Sequence, residues 1–255
     1  MDLHLPTTGL DRYKSASQRA RVGTESWGAA NFFCPACESP SLRSAPQGTA
    51  AIDYFCPSCD SLFQLKSQSK PIGIRIVDAA YSEMKRAILR DRTPNLFVLH
   101  YDIDAWAVRT VLLVPHFAFA LSTLEKRPPL AATARRAGWV GCNILLDKIP
   151  LHARISIVSD GASHAPREVR GSYNRLRPLE KLQVEKRGWT LDVLQVIQSL
   201  GKLEFTLADV YGHADALARL HPKNLHVRPK IRQQLQVLRD LGLLDFLGAG
   251  SYRLP

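Results

Sequence analysis

Hydrophobic positions divide the chain into two patterns. Up to about residue 160, strand-length apolar runs alternate with helical stripes, and beyond Trp189 the apolar residues follow a helical period almost to the end. Ser15 to Trp27 predicts a short helix, with Ala16, Ala20, Val22 and Trp27 available for packing and Gln18, Arg19 and Arg21 for solvent. Ala51–Phe55 and Leu62–Lys66 predict two strands close enough to form a hairpin. Ile74, Val77, Tyr81, Met84 and Ile88 recur at helical spacing and predict one long amphipathic helix over Ile74–Leu89, with Lys85, Arg86 and Arg90 outward. Leu96–Tyr101, Val111–Val114 and Arg154–Val158 read as strands. The fold class expected for this half is α/β. Arg127–Asn143, punctuated by prolines and glycines, reads as an ordered loop. Gly161–Arg187 is polar, basic and poor in large apolar residues, which predicts a linker near 171–186 and domains over residues 1–180 and 181–255.

The tail has a different grammar. Trp189, Leu191, Val193, Leu194, Ile197 and Leu200 describe one helix closed by Gly201, and Phe205-Thr206-Leu207 opens a second with Thr206 as N-cap. A third helix spans about Pro229 to Leu241, with Ile231, Leu235, Leu238 and Leu241 on its stripe. Leu244–Leu247 and Ser251–Leu254, joined by Gly248-Ala-Gly250, predict a β-hairpin. Three helices and a hairpin are the parts of a winged helix-turn-helix domain, whose third helix enters the major groove. Lys230 and Arg232 would then meet DNA, and Arg232, Gln233 and Gln234 are suited to bidentate base contacts. A helical dimerisation domain is the alternative.

Charge points the same way. The 255 residues carry 34 Lys+Arg against 23 Asp+Glu, a formal net charge of +11. The excess is distributed, with a net of +8 up to Leu179 and +3 from Glu180 onward. A basic folded chain favours a polyanion, because phosphates neutralised by cations release their condensed counterions. The longest candidate span, Val111–Leu121, contains Pro115 and His116 and falls well short of the roughly 18 apolar residues a membrane helix needs. A soluble protein without a membrane partner is expected. The start MDLHLPTTGLDRYK has Asp2 where a secretory signal would be cationic and lacks an apolar stretch before a small-residue cleavage site, which argues against export.

Four of the five cysteines stand in two CxxC frames, Cys34-Pro-Ala-Cys37 and Cys56-Pro-Ser-Cys59, with 18 residues between them. Two such knuckles can aim four thiolates at one tetrahedral Zn²⁺, leaving no open position, so the metal would be structural. Two disulfides are disfavoured in a reducing compartment, and a redox pair would need only one CxxC beside a βαβ unit. Cys142 is expected to pack as a small apolar side chain.

Asp53 on the first hairpin strand and Gln64-Leu65-Lys66 on the second approach a nuclease pattern, Asp…(Asp/Glu)-x-Lys. In that pattern, carboxylates on adjacent strands hold Mg²⁺ beside the scissile phosphate, and a lysine two residues on, on the same strand face, polarises water. A lysine at alternate spacing is also what a solvated strand face shows.

The motifs SQRARVGTESW, CPAC, DYFCPSC, FQLKS, RPPLAATARRAGWVGCN, RGWT and KIRQQLQVLRD, in this order, resemble those of the DpnI family of methyl-directed type II restriction endonucleases from Leu3 to Leu254. The resemblance implies a PD-(D/E)xK restriction-endonuclease-like core with an embedded four-Cys zinc site, followed by a C-terminal winged helix-turn-helix. It also implies Mg²⁺-dependent cleavage of double-stranded DNA at N6-adenine-methylated GATC sites, by a monomer in the bacterial cytoplasm. By the same resemblance Asp53 and Lys66 are catalytic, Cys34, Cys37, Cys56 and Cys59 hold Zn²⁺, and Arg135, Arg136 and Trp139 read methyladenine. The family's second metal-binding acid falls on Gln64, so Asp53 and Gln64 become the Mg²⁺ ligands. An amide brings a dipole in place of a charge. Glu25, on the first helix, and Asp78, expected in the first turns of the Ile74–Leu89 helix, are the acids that would compensate. Without compensation, the chain would be a catalytically impaired methyladenine-DNA binding protein. A zinc-ribbon and winged-helix regulator is a third reading.

Overall fold

Leu96, Phe97, Val98 and Leu99 are each at most 1% exposed, an unbroken buried run that marks a strand covered on both faces. A computed structural model describes residues 1–46, 48–49 and 51–255. In chain order the elements are α1 (Ala16–Asn31), β1 (Arg43–Ser44), β2 (Tyr54–Phe55), β3 (Leu62–Gln68), β4 (Arg75–Ala80), α2 (Tyr81–Leu89), β5 (Asn95–Asp102), β6 (Ala107–Val114), β7 (Leu124–Lys126), β8 (Gly141–Leu145), β9 (Ile155–Ser159), β10 (Ala162–Ser163) and α3 (Pro166–Leu176). The C-terminal elements are α4 (Val184–Ser199), β11 (Glu204–Thr206), α5 (Leu207–Tyr211), α6 (Ala214–Leu220), α7 (Val227–Asp240), β12 (Asp245–Gly248) and β13 (Ser251–Arg253). Among the described residues a seven-stranded sheet runs β1-β2-β3-β5-β6-β9-β10, with β3 and β5 parallel and every other pair antiparallel. A second sheet, β4-β8-β7, carries α2. The architecture is the expected α/β core followed by a helix-turn-helix part with its wing.

One expectation fails for a physical reason. The long helix over Ile74–Leu89 is strand in its first half, because Arg75, Ile76, Val77 and Asp78 pair with Leu145, Ile144, Asn143 and Cys142 of β8. Burial alternates, with Ile76 and Asp78 inward and Arg75 and Val77 outward, so Val77 belonged to a period of two rather than to the helical stripe. Only Tyr81–Leu89 is helical, anchored by Met84 and Ile88. The segment expected to hold the linker begins with the second half of α3. Val169, Tyr173 and Leu176 bury one stripe of α3, and Tyr173 donates from its hydroxyl to Asn95 Oδ1 at 3.1 Å. The stripe is narrow enough to be lost among its polar neighbours.

Smaller differences follow the same logic. Helix α1 runs on to Asn31 and buries Gly23, Thr24, Trp27 and Gly28, while Ala16 stays exposed. Residues Gly141–Asn143 of the expected loop belong to β8. In the tail, α6 and β11 were not anticipated, since Leu217 is the only fully buried side chain of α6.

Helix α4 is buried on nearly every side. Toward the C-terminal part, Thr190 donates to Gln234 Oε1 at 2.7 Å, and the Trp189 ring stacks on His221 at 3.7 Å. Toward the sheet, Asp192 accepts from Ser122, Gln195 donates to the Asp147 carbonyl at 2.6 Å, and the buried Arg187 pairs with Asp91. No helix among the described residues is long and apolar enough to cross a membrane.

Helix α5 opens as anticipated with Thr206, in a full capping box with Asp209. The Thr206 N–H and hydroxyl hold the Asp209 carboxyl down at about 2. Thr206→Ala should therefore cost about 1 kcal/mol of stability, read as a lower midpoint in denaturant. Because folding lowers this carboxyl's pKa, its contribution is complete above pH about 4 and fades as the pH falls from there through about 2, which acid titration of the parent against Asp209→Asn would trace.

Candidate active site and metal centre

The two CxxC knuckles meet at the exit of α1 and the turn between β2 and β3. Four sulfurs lie within 4.8 Å of one another, with Cys34 Sγ 3.6 Å from Cys59 and Cys37 Sγ 3.5 Å from Cys56. Tetrahedral Zn²⁺ with bonds of about 2.3 Å separates its sulfurs by about 3.8 Å, whereas a disulfide needs about 2.05 Å, so the cluster has the dimensions of a metal cage. Burial pushes the Cys34 thiol up. At Cys56 burial also raises the pKa, but the N–H groups of Ser58 and Cys59 and the adjoining thiols outweigh it and leave the group at about 6. A thiol that readily ionises is what a cation requires. Arg170 of α3 closes the cage from outside, donating to the carbonyls of Cys34 and Ser39 at 3.0 Å each and pairing with Glu38. Cys142 is fully buried outside the cluster, as expected.

Beside the cage, β2 begins only at Tyr54, and among the described residues no strand covers that edge of β3 beyond Phe63. Asp53, just ahead of β2, donates its N–H to the Phe63 carbonyl at 2.8 Å and accepts the Leu65 N–H on Oδ2 at 2.6 Å. A cavity of about 290 Å³ on this edge is lined by Glu25, Asp53, Gln64 and Lys66, together with Arg21 and Thr24 of α1. Burial raises the Asp53 pKa, the Leu65 N–H opposes it, and the nearby negative charge of Glu25 adds to the rise. Glu25 is itself held by Arg21 Nε at 2.7 Å. Phe63 lies on the opposite face of β3, stacked on Phe97, which in turn stacks on Phe32 at 4.0 Å. The aspartate and the lysine thus open on the same cavity.

Asp78 occupies a different place from the one expected. It sits on β4, not in a helical first turn, and its side chain is 1% exposed. Its Oδ1 lies 2.6 Å from Lys66 Nζ and accepts from Gln64 Nε2 at 3.4 Å. Glu25 faces the cavity, whereas Asp78 stands behind it.

Arg135 and Arg136 are exposed on the loop between β7 and β8, and Trp139 is half-buried at its end. The Arg136 guanidinium lies 5.2 Å from the centre of the indole. The loop is closed by two backbone bonds, Leu130 N–H to Trp139 and Gly138 N–H to Leu130. On α7, Arg232 and Gln233 are exposed and Lys230 is half-buried. Gln234, expected among the base contacts, is instead fully buried and accepts the Thr190 hydroxyl, so it fixes α7 to α4 and is not available to DNA.

The family model described as DpnI, Dam-replacing family, matches residues 1–182, and that described as Dam-replacing HTH domain matches residues 185–254. The chain belongs to the DpnI family. The RGWT segment lies just inside the second matched region, and its side chains are structural: Arg187 pairs with Asp91, Trp189 stacks on His221 and Thr190 bonds Gln234. Sequence reasoning missed two features of this family member. Arg21 lines the cavity, although the motif SQRARVGTESW contains it. A cleft of about 600 Å³ at the start of α7 is lined by Lys223, Asn224, His226, Lys230 and Gln233, and the basic run KNLHVRPK was its signal.

Gly141 sets the seat of Trp139, since a Cβ there would stand 2.7 Å from two atoms of the indole ring. Gly141→Ala should push the ring away from β8 at a cost of about 1–3 kcal/mol. Near-UV circular dichroism should change while the far-UV spectrum does not.

Proposed function

We propose that this chain is a methylation-dependent type II restriction endonuclease that cleaves double-stranded DNA at N6-adenine-methylated GATC sites. The observation that carries the reading is the convergence of Asp53, Gln64 and Lys66 on one cavity in a chain of the DpnI family. The donor set there is all oxygen, which suits a hard cation, and a carboxylate whose pKa is raised by burial gains most from one. Asp53, Gln64 and Glu25 would hold Mg²⁺. Bound there, the ion would stabilise charge on the phosphate and lower the pKa of attacking water. Lys66 offers an ammonium to the same space, where it would orient the water or the phosphate. Asp53 is kept in place by the Leu65 N–H, and Phe63 anchors the opposite face of the strand.

Recognition is assigned to two surfaces. Arg135 and Arg136 would clamp phosphates or guanine edges while Trp139 contacts the N6-methyl group. Lys230, Arg232 and Gln233 of α7 would form the second reader. Residues 1–180 would be the catalytic domain with its structural Zn²⁺, and residues 181–255 the winged-helix domain. We assign the protein as a monomer acting in the cytoplasm of a bacterium whose own DNA lacks the mark. Gln64 favours one further reading, a methyladenine-DNA binder with impaired cleavage, because it puts an amide where the pattern has an acid.

Plasmid carrying methylated GATC should be cut in Mg²⁺ and spared in EDTA, and unmethylated plasmid should be spared in both. Lys66→Ala should lower the cleavage rate by about 10² to 10⁴-fold without loss of methyl-selective binding. Selective binding without cutting in Mg²⁺ or Mn²⁺ would establish the binder instead, and cutting indifferent to methylation would remove both readings.

Metal analysis should return one Zn²⁺ per chain. Cys56→Ser should lose the metal and lower the thermal midpoint, with α3 loosened as well, because Arg170 bonds the carbonyl of Cys34. Faster amide exchange in α3 of the variant would report that spread.

A further inference from the structure

We propose that Asp78 is a positioning residue of this cavity, a buried counter-charge matched to an amide at position 64, so that Gln64 is a fitted component and not a defect. The inference rests on the endonuclease reading and deepens it. One oxygen, Asp78 Oδ1, meets both Lys66 Nζ at 2.6 Å and Gln64 Nε2 at 3.4 Å. Asp78 does not line the cavity, so it acts through these two side chains, which do. The β4–β8 register shifts between Asp78 and Ala80, and such a bulge re-aims a side chain.

The orientation of Gln64 follows from the chemistry of its partner. An ionised carboxylate only accepts, so the amide must turn its NH₂ toward Asp78. The carbonyl oxygen then points away from Asp78, as the polar atom Gln64 has left to present to a cation in the cavity. A glutamate at this position would instead set two carboxylates against each other behind the cavity, where like charges repel strongly. The negative charge missing from position 64 is therefore present on Asp78 of β4, and Lys66 is neutralised and held by it. Glu25, facing the cavity, is left to accompany Asp53.

The test is a double-mutant cycle with Gln64→Glu, Asp78→Asn and the combined variant. The thermal midpoint is read in EDTA, kcat and KM in Mg²⁺, and affinity for methylated DNA in Ca²⁺. Gln64→Glu should lower the metal-free midpoint by about 3 °C and Asp78→Asn should cut kcat by about 100-fold, with DNA affinity within about threefold of the parent. The combined variant, with the charge exchanged between the two positions, should recover both the midpoint and most of kcat. If Asp78→Asn does not fold, recovery of folding and cleavage by the combined variant decides the matter in favour. Strictly additive effects, an unchanged kcat in folded Asp78→Asn, or a Gln64→Glu variant faster than the parent would overturn the proposal. Absence of cleavage by the parent counts against the endonuclease reading alone, because the midpoints in EDTA still report whether positions 64 and 78 are coupled.

Discussion

The candidate site depends on a strand that begins late, at Tyr54. β2 pairs with β3 only through Tyr54 and Phe55, and beyond Phe63 the N–H groups on the outer edge of β3 meet no strand among the described residues. The Asp53 carboxylate takes the first of these, at Leu65, where the next rung of the ladder would have been. A buried N–H without a partner would cost about as much as a lost hydrogen bond, so side chain and edge stabilise each other. That substitution leaves room for the cavity, and it explains why an acid is tolerated in a position that burial makes unfavourable for charge.

The cysteine cage belongs to this constraint. Cys34 and Cys37 follow α1, which carries Arg21 and Glu25, while Cys56 and Cys59 span the turn between β2 and β3, beside Asp53, Gln64 and Lys66. Closing the cage ties the two halves of the cavity wall together from one end. Phe32, between α1 and the first knuckle, stacks on Phe97 and provides the matching apolar tie. Arg170 extends the clamp to α3, which becomes a third side of the same frame.

How much of this was legible depended on whether the signal was local. The cysteine frames, the strand of Leu96–Leu99 and the Thr206 cap are each encoded within a few residues, and they were readable as such. Ile74–Ala80 was not, because Ile74 and Val77 suit a helical stripe and an alternating strand equally well over so short a window, and the choice was made by β8, a strand remote in sequence. Misreading that strand also misplaced Asp78, whose partner Lys66 lies on a different sheet. Gln234 was misread for a related reason: its residue type suits base contacts, but only α4 packed against α7 reveals that its amide is consumed by Thr190. Glutamine on a helix adjoining a polar face gives no sequence signal of that kind.

The joint around α4 changes what two recognition surfaces could achieve. A flexible tether would let two readers find separate marks, with the second contact governed by effective concentration. Here the helix that begins the C-terminal part is itself buried against the first part through Arg187, Asp192 and Gln195, against α7 through Thr190, and against the end of α6 through Trp189. The orientation of α7 relative to the cavity is therefore a packing property, to which Arg187, Trp189 and Thr190 of RGWT contribute together with Asp192 and Gln195. One methyl group is worth only about 1 kcal/mol when buried. In the proposed reading, a fixed joint would add the preferences of two surfaces only for DNA whose marks stand at the spacing the joint imposes, so that geometry contributes to selectivity alongside the contacts themselves.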